Sequence, residues 1–187
     1  MLYTPAQKEF YMRQALQEAE LAYQEGNIPI GAVVVLNGEV VARGRNRRST
    51  GHFLRHAEVE AISRLPRPFD RQREQAAIFT SVEPCYLCYG AILFANSAHV
   101  FFAACDRHAG ASQIHGVGHY NQPRILTFEG GILEQASFEL LRHESEEHCR
   151  LLFEDRFVEL LNHDCANRAN GTNGQGLCCS TPGRKTL

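Results

Sequence analysis

No apolar run in the 187 residues approaches the roughly 18 that a helix needs to cross a bilayer. The amino terminus opens with Tyr, Thr, Pro and Gln rather than the basic segment followed by an apolar one that marks a secretory signal. With neither signal present, the expectation is a cytoplasmic protein. An even cysteine count is missing too. Seven cysteines, at 85, 88, 105, 149, 165, 178 and 179, cannot all pair within one chain, and their spacing is unlike a secreted disulfide scaffold. Metal binding or catalysis is the better question to ask of them.

A strong charge of either sign is lacking as well, since the net charge is −2. That small total hides an asymmetry. Arg43, Arg45, Arg47, Arg48, Arg55, Arg64, Arg67, Arg71 and Arg73 face only Glu58, Glu60 and Asp70 in their own window, whereas the stretch from Glu129 to Glu159 is acidic. Charge blocks of this kind are common on solvated surfaces. An arginine-rich flank is equally what a phosphate-binding surface needs, and both readings stay open.

What is present fits one ordinary domain, long enough to bury a real core, with the hydrophobic and charged fractions of a globular protein. Thr4-Pro5-Ala6-Gln7 has the form of a capping box with proline at the first helical position, and Met12, Leu16, Ala19 and Tyr23 follow at helical spacing until Gly26-Asn27. The apolar, β-branched run 30–36, the Asn37-Gly38 turn and the stretch 39–46 predict a hairpin. A helix from the "RHAEVEAI" stretch to about Leu65 is ended by Pro66 and Pro68. A strand over 76–82, a helix from Pro84 carrying Cys88, Ala91, Ile92 and Ala95 on one face, and a strand over 98–104 make a βαβ crossover. A short strand is expected within 124–129 and helical pattern from about Leu133 to Leu161. The fold class is therefore α/β, a mixed sheet that begins with an antiparallel hairpin and is covered by helices. Residues 1–161 form the domain, and the Gly- and Asn-rich tail 162–187 is expected to be poorly ordered.

The chemistry concentrates in two short segments. His56 and Glu58 stand two apart at the mouth of a predicted helix. In "PCYLC", Cys85 and Cys88 lie three apart at the start of another, on one face and beside unpaired amides that favour thiolates. Two thiolates and one imidazole make three zinc ligands and leave a fourth tetrahedral position for water, the pattern of a catalytic site. Zinc brings a bound water's pKa down to about 7, but chemistry at an aromatic C–N centre also needs a group that moves protons. Glu58 supplies it. An offset of two residues places it roughly 200° around a helix from His56, clear of the metal. A lone histidine or Cys-x-x-Cys would carry little weight, because the first is usually a satisfied structural residue and the second can be redox-active or half of a structural site. Together, H-x-E followed by P-C-x-x-C is the signature of zinc-dependent nucleobase deaminases.

The chain resembles the cytidine deaminase superfamily, and within it the bacterial tRNA-specific adenosine deaminases, over about residues 5–142. The stretch from Met12 to Asn46, "HAEVEAI", "TSVEPCYLCYGAI" and "FEGGILEQASFELL" echo that family in order and spacing. The resemblance implies a three-layer α/β/α sandwich around a five-stranded mixed sheet and a homodimer sharing a nucleic-acid surface. It implies one zinc per subunit on His56, Cys85 and Cys88, with Glu58 as the proton shuttle. It assigns Asn46 to the substrate near its base and sugar, Ile28, Pro29 and the Gly31–Val33 backbone to the base pocket, Ala57 to the ring edge and Asp106 to a substrate-contacting loop. The implied reaction converts adenosine to inosine at the tRNA wobble position, in the anticodon loop.

Two departures bear on substrate. "HFLR", His52 to Arg55, replaces the family's usual Asp-Pro-Thr-Ala before the histidine, and an acidic stretch stands where the family has an aromatic and basic terminal helix. These keep a second reading open, a deaminase of a free nucleobase or nucleoside such as guanine, cytosine or an analogue. A third, a non-catalytic zinc-binding partner subunit, would tolerate loss of the acid that this chain keeps. His143, His148, Cys149, His163, Cys165, Cys178 and Cys179 are too irregularly spaced to suggest a second metal site.

Overall fold

A computed structural model describes residues 3–147 except 51, 66–75, 96, 98, 107, 108, 113, 115–117, 120, 121 and 124–126. Its elements run α1 (Pro5–Gln24), β1 (Gly31–Leu36), β2 (Glu39–Arg45), α2 (Ala57–Ser63), β3 (Ala77–Val82), α3 (Tyr86–Phe94), β4 (His99–Ala104), β5 (Gly118–His119), β6 (Gln122–Pro123), β7 (Thr127–Glu129) and α4 (Glu134–Glu147). The tail 162–187, the segment 148–161 and Arg67, Arg71 and Arg73 lie outside the described residues.

Local signals explain the first elements. Thr4 accepts from the Gln7 amide and the Gln7 side chain accepts from the Thr4 amide, a reciprocal capping box with Pro5 behind it. Gly26, at φ 75°, follows the helix. Asn37 and Gly38 both have positive φ, 53° and 82°, as a two-residue hairpin turn requires, so β1 pairs antiparallel with β2.

The main sheet has five strands in the order β2-β1-β3-β4-β7. β1 is antiparallel to both β2 and β3, whereas β3, β4 and β7 run parallel. Alternation along β1 sends Ala32, Val34 and Leu36 to one face, with Ala57 and Ala61 of α2 and Ile92 of α3, and Val33 and Val35 to the other, with Tyr11, Met12 and Ala15 of α1. Phe138 and Leu141 of α4 pack with Ile28, Val82 and Ala104 at one end of the sheet. The result is the expected α/β/α sandwich with a mixed five-stranded sheet. Among the described residues no helix is long and apolar enough to cross a membrane.

Close approach fixes α2. A Cβ on Gly44 of β2 would overlap the Ala57 carbonyl and the Ala61 amide, so glycine there lets the helix rest on the strand backbone. Arginines then tie the edge. Arg55 and Arg64 both bond Glu60, and Arg64 also donates to the Arg43 carbonyl, 2.9 Å away.

The same contacts correct the sequence view of the basic flank. Arg43 bonds Gln14 and lies 4.0 Å from Glu18; Arg45 bonds Glu18 and Glu25; Arg47 lies 3.7 Å from Glu25. Carboxylates of α1, remote in sequence, neutralise much of what counted as unopposed charge. The guanidinium of Arg55 holds Glu60 below the usual carboxylate range, helped by Arg64 and Arg47. Its contribution to stability is complete above the ordinary value of 4.5 and is lost as pH falls through the lower folded value. Glu60→Gln should therefore reduce unfolding free energy at pH 7 by about 1 kcal/mol, a loss that shrinks toward zero below about pH 4 when urea melts of both proteins are compared.

Candidate active site

The two chemical segments meet at one end of the sheet. Chain ends that adjoin in the topology surround a cavity of about 190 Å³: Ile28 and Ile30 before β1, Asn46 and Arg48 after β2, Val82 and Glu83 closing β3, Asp106 and Ala109 after β4. His56, Ala57 and Glu58 enter from the start of α2, Cys85 and Cys88 from the start of α3, and Leu141 from α4. This is the carboxyl end of the parallel pair β3 and β4, where open α/β sheets bind ligands.

His56 is not on the helix, as the sequence reading had it. It is the N-cap of α2, with extended backbone at φ −75° and ψ 157°. Cys85 is likewise the N-cap of α3, which begins at Tyr86 rather than at Pro84. Helical rotation therefore does not separate His56 from Glu58; the extended cap does, turning the imidazole toward the cysteines. Nδ1 of His56 lies 3.6 Å from each sulfur, and the sulfurs lie 3.6 Å apart. A tetrahedral zinc with ordinary bond lengths needs donors about 3.5–3.8 Å apart, so the donor set fits the ion. Among the described residues this is the one His, Cys, Asp or Glu group compact enough to hold a metal.

Electrostatics follow the same geometry. The Cys85 thiol is held down to about 4 by its hydrogen bond with Cys88, then by that with His56, while Cys88 is pushed up by its bond with Cys85 and by burial. Metal ligation requires both as thiolates, so a bound cation would displace their protons. His56 is raised, chiefly by its hydrogen bond with Cys85. Glu58 is 3% exposed and its carboxyl is pushed up by burial. Its Oε1 accepts from the Thr80 hydroxyl at 3.1 Å and its Oε2 from Cys88 at 3.2 Å. One oxygen is thus fixed by β3 and the other faces the donor cluster.

The remaining sequence candidates divide. Ile28, Ala57, Asn46 and Asp106 line the cavity. Pro29 is buried but does not line it; the neighbour on the other side, Ile30, does. The Gly31–Val33 backbone is spent in the sheet and in a bond from the Gly31 amide to Ser81. Asn46, 2% exposed, also forms a turn, its Oδ1 accepting from the Arg48 amide at 2.9 Å. Asp106 caps its loop by accepting from the Ala109 amide.

Glu83 and Thr80 escaped the sequence reading. A carboxylate closing an apolar strand directly before "PC" was the available signal for Glu83; nothing local marked Thr80. Buried Glu83 accepts from the amides of Asp106 and Ser112, both at 3.0 Å, and the Ala111 amide donates to the Pro84 carbonyl. It therefore fastens the Asp106 loop to the segment that carries Cys85. A Cβ on Gly110 would collide with the Glu83 carboxylate, so only glycine lets the loop close over it. Glu83→Ala should cost about 2–3 kcal/mol by leaving two amides unpaired, and hydrogen exchange at Asp106 and Ser112 should accelerate sharply.

Fold, donor set and buried acid define a class, and comparison with known proteins agrees: residues 5–104 match the cytidine and deoxycytidylate deaminase zinc-binding region, and the chain belongs to that family of deaminases. Within it, the chain is 39% identical over 108 residues to a tRNA-specific adenosine deaminase of Bacillus subtilis, covering 57% of this chain and 67% of the relative. It is 34% identical over 142 residues to the tRNA-specific adenosine deaminase of Agrobacterium fabrum, covering 73% of this chain and 93% of the relative. A solved structure from work on A-to-I editing by tRNA:A34 deaminases at the wobble position of transfer RNA superposes with a TM-score of 0.61 at 32% identity, covering 71% of this chain and 99% of that one.

Proposed function

We propose that this chain hydrolyses adenosine to inosine at the wobble position of a tRNA, as one catalytic domain over residues 1–161, in the cytoplasm, as a homodimer with one zinc per subunit. The observation that carries the reading is the convergence of His56, Cys85 and Cys88 with a buried, Thr80-anchored Glu58 in one base-sized cavity. The similarity to tRNA-specific adenosine deaminases supports the choice of substrate.

The cavity is smaller than the roughly 300–1,000 Å³ that encloses a drug-sized ligand, so a flipped base enters and the sugar stays at the mouth. Apolar Ile28, Ile30, Val82 and Leu141 grip the flat ring. Ala57, first residue of α2, presents an amide with no intrahelical acceptor to the ring edge. Asn46 keeps Nδ2 without a partner among the described residues and addresses the base and sugar. Asp106 contacts the substrate from its loop. Zinc, which His56, Cys85 and Cys88 would hold, would supply an acidified water. Glu58 would relay both protons of that water through Oε2, the first to the ring nitrogen and the second, from the newly formed C–OH, to the departing amine, so that a C–O bond forms, the C–N bond breaks and ammonia leaves.

The pairing of Arg43, Arg45 and Arg47 with α1 reduces the basic surface and favours the second reading, a deaminase of a free base or nucleoside. Inosine formation in an anticodon stem-loop, measured beside ammonia release from guanine, cytosine and adenosine, separates the two; no reaction on the RNA would overturn the proposal. Glu58→Ala should keep one zinc per chain and its melting profile yet lose at least about 10²-fold in kcat. Wild-type-like turnover would remove Glu58 from the mechanism.

A further inference from the structure

Arg48 stands apart from the arginines around it. Arg43, Arg45, Arg47, Arg55 and Arg64 all meet carboxylates on α1 or α2, whereas the exposed Arg48 guanidinium has no partner among the described residues and lies at the cavity wall. Its position is fixed from behind, because its amide donates to Asn46 Oδ1.

The loop that follows is closed on itself. The Arg47 amide donates to the Arg55 carbonyl at 2.9 Å, and the Arg55 amide donates to the His52 carbonyl at 2.8 Å. On its outer side the rings of His52 and Phe53 stack with centroids 4.4 Å apart and planes 27° apart. Phe53 is 62% exposed, and His52 is pinned by the Leu54 amide on its Nδ1. Phe53 is three residues from His56, at most about 11 Å of chain from the cavity. An exposed aromatic stack on the loop between Arg48 and His56 offers a face on which a nucleic-acid base can stack.

Resting on the RNA reading above, we infer that this loop is the contact for the nucleotide next to the target: Arg48 takes the phosphate joined to the target nucleoside, and the His52–Phe53 stack offers its face to the adjacent base. Single-stranded nucleic acid is the ligand class that supplies both an anion and a second aromatic ring. A mononucleotide would use Arg48 alone.

The test uses full-length protein with adenosine, AMP and an anticodon stem-loop. Arg48→Ala should raise KM for the stem-loop about 10-fold, well beyond any change in KM for adenosine, and lower the slope of log K against log salt for stem-loop binding by about 0.7, with Arg48→Lys retaining most of that slope. Phe53→Ala should weaken stem-loop binding about 5- to 100-fold at constant salt slope and leave AMP unaffected. Unchanged KM and salt slope in Arg48→Ala, with the wild type still active on RNA, would overturn the phosphate contact. Equal effects of Phe53→Ala on AMP and stem-loop would overturn the adjacent-base contact. Wild-type inactivity on RNA would instead remove the reading on which both rest.

Discussion

The site depends on how closely α2 approaches β2. Donors contributed by segments about 30 residues apart in sequence have to meet within a few tenths of an ångström, and nothing local to either segment can arrange that. Gly44 removes the one Cβ that would hold Ala57 and Ala61 off the strand, and the alanines remove bulk from the opposing side. With the helix resting on the backbone of β2, its N-cap arrives beside the end of β3, where Cys85 caps α3. A larger side chain at any of these positions would push α2 off β2 and displace His56 relative to the two sulfurs.

The same closeness sets the electrostatics. Glu58 is carried into a nearly dry position and burial pushes its carboxyl up. One of its oxygens is fixed by the sheet and the other faces the cysteines. Thr80 does the fixing, from a strand that also pairs with β1 and β4. The sheet is thus an active participant in proton placement, not only a platform. Glu83, one residue past the same strand, extends that role to the loop that carries Asp106.

What was legible in the sequence was local or repeated. The Thr4 capping box and the Asn37-Gly38 turn involve neighbours within a few residues, the β3, α3, β4 crossover follows a repeated apolar pattern, and each formed where expected. His56, Glu58, Cys85 and Cys88 were legible because metal chemistry restricts residue types so tightly that two short motifs suffice. The exact roles of the caps were not, since a helical wheel treats the N-cap as if it were already in the helix. Pro29 lies off the cavity lining because the Ile28–Ile30 segment turns on itself, the Ile30 amide bonding the Ile28 carbonyl, so that the flanking isoleucines share the cavity side. Thr80 and Leu141 depend on contacts across 20 residues or more and left no pattern to find, and Glu83 left only its place before "PC".

The arginine window carries the most instructive error, because counting charge within a stretch of sequence assumed that near neighbours are the relevant ones. In the folded chain α1 and its C-cap bring Glu18 and Glu25 to Arg43, Arg45 and Arg47, and the hydrogen bond from Arg45 holds Glu25 below the ordinary carboxylate range. Of the six window arginines that are described, five meet carboxylates and one, Arg48, stands unpaired at the cavity. Long-range attraction of a polyanion scales with net surface charge, whereas recognition of a particular phosphate needs one fixed cation at one place. Pairing the others weakens the first and sharpens the second. A protein built this way would select its substrate by the geometry of the pocket mouth more than by bulk affinity for nucleic acid, and the residues that replace the family's usual approach to His56 are where that geometry is set.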